Sequence, residues 1–211
     1  METIRDDLSR YDGAREQVLA LSREAVRMSG SSILEIHRGD LKEARSTLQR
    51  VGETLAKISG LCNDFSEFRT STSVVVAFQE FVEASTLLRF VDVGKIPSLK
   101  EAGGDPRSYM LGLLDAVGEF RRMSLNSLRK GKVEVAENLL GVMEGIYEDL
   151  QSLNHTSIIP TFRVKMDAAR RIIEATRGDV VTEARRFSLE KALDRLGNRL
   201  EAGGKTRKKR C

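Results

Sequence analysis

Two pairs of carboxylates lie in stretches that otherwise look like protein core. Residues 77–84 read AFQEFVEA and set Glu80 and Glu83 three apart, and residues 111–120 read LGLLDAVGEF and set Asp115 and Glu119 four apart. Positions three and four apart share a helix face, so each run turns two acids the same way. Acidic side chains are almost never fully buried without a partner. Four of them on two core-like helices require a counter-charge, and a divalent cation with oxygen ligands supplies it most simply. Such an ion lowers the pKa of a bound water and polarises a phosphoryl oxygen, which makes phosphodiester hydrolysis the matching reaction class.

Spacing alone does not separate this reading from a satisfied structural network, because a chain with 31 acidic residues forms E-x-x-E and D-x-x-x-E by chance. The neighbours distinguish these two pairs. Val74, Val75, Val76, Phe78, Phe81 and Val82 surround the first, and Leu111, Leu113, Leu114, Val117 and Phe120 the second. Glu134 with Glu137, and Glu144 with Glu148, lie among polar residues and read as surface. Arg69, Arg89, Arg121 and Arg122 flank the acids, and a guanidinium fork suits phosphate; the simpler role for any one of them is a surface ion pair. His37 and His155 are the only histidines, far apart and each near a predicted helix end, which gives no support to a histidine pair or a Ser-His-Asp arrangement. No phosphate-binding glycine loop of the G-x-x-x-x-G-K or G-x-G-x-x-G type is present. Aromatics make up 5% of the chain, too few for base reading by stacking.

The 211 residues, 40% of them apolar, suffice for one sizeable core. Three prolines, no tryptophan and long stretches without turn signals favour an all-helical chain. No apolar run approaches the roughly 18 residues needed to cross a bilayer, and METIRDDLSRYDG lacks the core of a signal peptide; a cytoplasmic protein with no membrane partner is expected. Cys62 and Cys211 form no zinc spacing and read as ordinary thiols. The net charge of +4 includes five basic residues in KTRKKR at 205–210, and without those five it becomes −1. A polyanion must therefore be held by a local patch, by the tail or by a concave surface formed on assembly.

Apolar periodicity predicts a long first helix over 5–37 and a second from Leu41 to about Leu61, with Asp40 as its cap. A third from Ser71 to 91–94 carries the first acid pair, and a fourth over 108–129 carries the second. Between them, 95–107 (KIPSLKEAGGDPR) reads as the clearest loop. A fifth helix follows Gly131 from Val133 to about Leu153, and 154–157 reads as a turn. A sixth starts near Pro160 and stops at Gly178, and a seventh, capped by Asp179, ends before Gly203. The expected domain is an elongated bundle of about seven helices over 1–202, followed by a basic disordered tail at 203–211.

Residues 109–128, YMLGLLDAVGEFRRMSLNSL, resemble the most distinctive stretch of the translin superfamily. There a Tyr-Leu-x-Gly opening is followed by an acid, a small residue then Glu, an arginine and an Asn-Ser pair. Tyr109, Gly112, Asp115, Gly118, Glu119, Arg122, Asn126 and Ser127 fit it, as do LSRE at 21–24, His37 with Arg38, FQEFVEA, and Arg177 with Gly178. The chain looks like the translin-associated factor X branch, in which the E-x-x-E and the later acid form a metal-dependent ribonuclease site. Translin itself lacks some of these acids and binds nucleic acid without catalysis, which is the alternative function. Carried over by position, the resemblance implies catalytic Glu80, Glu83 and Asp115, with Glu119 joining them as a ligand of Mg²⁺ or Mn²⁺. It implies an endoribonuclease acting on single-stranded RNA, with single-stranded DNA or duplex RNA as further partners, inside a hollow, octamer-like shell. Arg69, in FSEFRT, stands roughly where translin uses a basic segment, and Arg122 is the second expected nucleic-acid contact. The compact chain and short 95–107 loop are more similar to an archaeal member, which implies assembly into a homo-oligomer without a translin partner.

Overall fold

The computed structural model describes the backbone of residues 2–153, 159 and 161–208. It consists of α1 (Glu2–Arg38), α2 (Leu41–Asp64), a 3-10 turn (Ser66–Thr70), α3 (Thr72–Val93), α4 (Leu99–Ala102), α5 (Pro106–Leu128), α6 (Val133–Gln151) and α7 (Phe162–Lys208). No strand occurs among the described residues, and no helix there is long and apolar enough to cross a membrane.

The α1–α2 hairpin forms because both helices carry a stripe at three- and four-residue intervals: Ala14, Val18, Ser22, Ala25, Ser29, Ser32 and Ile36 on the first, and Ala44, Leu48, Val51, Leu55 and Ile58 on the second, all buried. Tyr11 closes its far end on Phe65 and Phe68, with ring centroids 5.6 and 5.0 Å away. Cys62 is buried there, and burial pushes its thiol pKa up, which makes it an inert thiol.

Helix α3 is apolar around most of its circumference, as a helix packed between α1, α2 and α5 must be. Helix α5 lies parallel to it: Ser108 Oγ donates to the carbonyl of Val75 at 3.4 Å, and Phe120 meets Phe90 edge-on at 5.1 Å further along. A parallel pair requires the connection to travel back along the whole seam. Residues 94–105 do so in an ordered path, which corrects the expectation of a plain loop. Ser98 and Glu101 form a capping box on α4, Arg89 binds Glu101 at 2.6 Å, and the Tyr109 hydroxyl donates to the carbonyl of Pro97 at 2.7 Å. Asp105 then caps α5, whose first turn starts at Pro106.

The two helices approach each other closely at Gly112. A Cβ there would lie 2.6 Å from the carbonyl oxygen of Gln79 and 2.7 Å from Cβ of Val82. Only glycine allows this approach, and it sets residues 79–83 directly against 112–119.

Helix α6 folds back on α5, with Ser124 Oγ donating to the carbonyl of Ala136 at 3.3 Å, and α7 covers both. Its course corrects a second expectation, since the sixth and seventh predicted helices are one. The Arg121 guanidinium donates to Thr176 Oγ1 at 2.7 Å and to Asp179 Oδ2 at 3.0 Å, bridging Gly178, and Val180 is buried one residue further on. Asp179 is used in this ion pair instead of a cap. The merger and the unforeseen α4 offset each other, so the number of α-helices among the described residues is still seven. The predicted turn at 154–157, His155 and Pro160 lie outside the described residues. Beyond Val180 no described side chain of α7 is buried, and the backbone stays helical to Lys208, past the predicted end at Gly203.

Two glycines should respond oppositely to alanine. Gly112→Ala overpacks the α3–α5 seam and should cost about 2–3 kcal/mol. Gly178→Ala, in open space within a helix, should stabilise by about 1 kcal/mol. Denaturant unfolding of both variants against the parent checks the two signs.

Candidate functional site

The α3–α5 seam brings all four predicted acids into one electrostatic unit. Glu83 is buried, and its pKa is pushed up to about 8, first by desolvation and then by the charges of Glu80, Asp115 and Glu119, against a smaller opposing effect of Lys165. Glu80 is raised as well, by burial and then by Asp115, again with Lys165 opposing. Glu119 moves the other way. The hydrogen bond from His37 Nε2 to its Oε2 is the largest cause, and Arg122, 3.5 Å away, adds to it. Asp115 is held on both oxygens, with the Gln79 amide donating to Oδ2 and the Lys165 ammonium to Oδ1.

Four carboxylates thus face one lysine, one arginine and one imidazole. Glu83 receives no hydrogen bond or ion pair from any described residue. A hard divalent cation suits this donor set, since it takes oxygen ligands and relieves the repulsion that raises Glu83 and Glu80. The side chains do not stand as a finished cage: among the described residues no three of His, Cys, Asp and Glu are arranged to hold a metal ion. The reason is visible in the partners. Asp115 is turned to Lys165 and Gln79, and Glu119 is turned to His37.

Of the two arginines expected at nucleic acid, Arg122 is at the cluster through Glu119. Arg69 is not. Its guanidinium donates to the carbonyl of Cys62 and to Asn63 Oδ1, and it lines a separate cleft of about 510 Å³ with Phe78 and Arg107, to which none of the four acids contributes. Arg89 and Arg121 hold α4 and α7 in place. Sequence reasoning missed three members. Gln79 is four residues before Glu83 on the same apolar helix, a signal the acids overshadowed. His37 was discounted for want of a second histidine nearby, whereas its partner here is a carboxylate from α5. Lys165 lies 50 residues from Asp115 in the chain, and no local pattern marks it.

The relatives of the chain agree with this arrangement of helices. An uncharacterised protein of Methanocaldococcus jannaschii is 35% identical over 191 residues, covering 90% of this chain and 85% of that protein. Translin-associated protein X of Mus musculus is 22% identical over 167 residues, 74% of this chain and 52% of the mouse protein, so the match spans about half of the latter. Among solved structures, AfC3PO in complex with duplex RNA superposes with a TM-score of 0.79 at 32% identity, over 87% of this chain and 95% of that one. The apo-NeC3PO structure shares the fold with a TM-score of 0.80 at 23% identity, over 86% and 96%. With residues 13–175 matching the Translin family and these relatives alongside, the chain belongs to the translin family.

Proposed function

We propose that this protein is a metal-dependent endoribonuclease that cleaves single-stranded RNA, with Glu80, Glu83, Asp115 and Glu119 holding Mg²⁺ or Mn²⁺. The observation that carries the reading is the convergence of four carboxylates on one seam with Glu83 left unbalanced. A related structure, AfC3PO, binds duplex RNA, which supports RNA as the polymer. A cation bound there would supply an activated water and charge stabilisation at the phosphorus. The protein's own groups prepare the acids for it. His37 keeps Glu119 ionised, while Gln79 and Lys165 fix the rotamer of Asp115. Arg122, paired with Glu119, would meet a phosphate there.

The reading includes self-association into a hollow, octamer-like shell with the acids facing inward. Leu189, Leu193 and Leu196 give it support, since they recur at helical spacing along α7 and are all exposed.

One observation favours the alternative, a non-catalytic oligomer of translin type that binds single-stranded RNA or DNA: Asp115 already has a protein cation as its partner. Cleavage of a labelled single strand in Mn²⁺ separates the two. Asp115→Ala should lower the cleavage rate by about a hundredfold or more while RNA affinity and assembly stay unchanged. Equal cleavage by variant and parent, or none by the parent, rules out the nuclease reading.

The charge imbalance also sets a pH dependence. An acid whose folded pKa of about 8 exceeds its ordinary 4.5 holds its proton more tightly in the folded state, so stability falls as pH rises between those values. In chelator-treated protein, Glu83→Gln should be near neutral at pH 4 and increasingly stabilising as pH rises, by up to about 4–5 kcal/mol at pH 9. Unfolding midpoints across that range check it, and a difference independent of pH would contradict the assignment.

A further inference from the structure

A second feature of the same seam lies toward the C-terminal ends of α1, α3 and α5. They enclose, with the start of α6, a cleft of about 530 Å³. Its polar wall holds His37, Asn126, Arg129, Lys130, Lys132 and Asn138, above an apolar floor that includes Phe90 and Met123. No aspartate or glutamate lines it. Arg129, Lys130 and Lys132 enter no ion pair among the described residues.

Helix stability explains two of these cations and not the third. Arg129 and Lys130 follow the C-terminus of α5, where positive charge is favourable. Lys132 is the N-cap residue of α6 and makes no capping hydrogen bond. A cation at a helix N-terminus opposes the dipole, and lysine gives up a cap that Ser, Asp or Asn would provide.

The cleft adjoins the acid cluster through His37, which lines the one and binds Glu119 of the other. On α5, Asp115, Glu119, Met123 and Asn126 follow one another at helical spacing, and on α3 Glu83, Leu87, Phe90 and Gly94 do the same. One seam is therefore acidic in its middle and basic at its end. His37 joins the halves, lining the cleft while binding Glu119. The axial distance from Glu119 to Leu128, the end of α5, is about 13 Å at the helical rise of 1.5 Å per residue, and Arg129 and Lys130 follow directly, enough for a few nucleotides.

We infer that this cleft is a phosphate-backbone subsite that holds the single-stranded RNA flanking the bond to be cut, with Arg129, Lys130 and Lys132 neutralising its phosphates. The inference rests on the endoribonuclease reading and names where its substrate lies. The apolar floor accepts base faces without selecting among them, so the subsite is indifferent to sequence.

The test is fluorescence anisotropy of a labelled oligouridylate with the full chain in chelator, so that binding is read without turnover. The triple variant Arg129→Gln, Lys130→Gln, Lys132→Gln changes exposed side chains only. At low salt it should bind at least tenfold more weakly than the parent. Its slope of log K against log salt should be shallower by about 2, as expected for three lost contacts to a single strand. Mn²⁺ binding, measured by calorimetry, should be unchanged. Equal affinity and equal slope overturn the subsite while leaving the nuclease reading in place. A parent chain that binds no RNA overturns both. Lost Mn²⁺ binding in the variant overturns the subsite too, since the residues would then be supporting the acids.

Discussion

The close approach of α3 and α5 at Gly112 is the constraint from which the other features follow. With the backbone of Gln79 pressed against the space a Cβ would fill, the side chains on either side of the contact are brought close together. Glu80 and Glu83 extend from one helix, Asp115 and Glu119 from the other, and each pair meets the other because Gly112 lets the helices approach this closely. Packing that would be unremarkable between leucines here concentrates negative charge. The raised pKa of Glu83 is the electrostatic result of a steric fact.

Charge concentrated in this way must be compensated from outside the seam, which explains the parts played by distant elements. Helix α1 extends to Arg38 and so brings His37 onto Glu119, and the first turn of α7 brings Lys165 onto Asp115. Each supplies one counter-ion to one acid. A network serving stability alone would be expected to finish the task, because an unpaired buried carboxylate costs more than a hydrophobic residue of similar size. Here it is not finished, and Glu83 carries the remainder. Its charged neighbours are of its own sign, with Lys165 the one opposing influence.

What could be read in the sequence followed from how local each signal was. The helices announced themselves through apolar periodicity, and the acids through their apolar neighbours, since both are properties of a short window. Gly178 misled because glycine is also a common helix terminator, and only the reach of Arg121 across to Thr176 and Asp179 reveals why the helix continues. The capping box of α4 was present in the sequence as Ser98 and Glu101, hidden by the glycines and prolines around it. Lys165 and His37 could not be found locally. Each becomes part of the site through a contact between elements far apart in the chain. Arg69 shows the reverse error, where proximity in sequence to the acid-bearing helix suggested a role at the acids, whereas its side chain is spent on the end of α2.

The parallel sense of α3 and α5 gives the seam a direction. Had the chain closed a short antiparallel hairpin after Val93, the end of α5 with Arg129 and Lys130 would lie beside the start of α3, away from His37. The return of residues 94–105 along the bundle, held by Glu101 and Tyr109, instead sets both C-terminal ends at one level and both acid pairs at another. The seam is thus negative in its middle and positive at its end. A body that is nearly neutral overall concentrates positive charge by placement at one end of the helix pair. The long connection, which looks like slack in the sequence, is what allows the acids and the basic residues to lie in series along one helix pair.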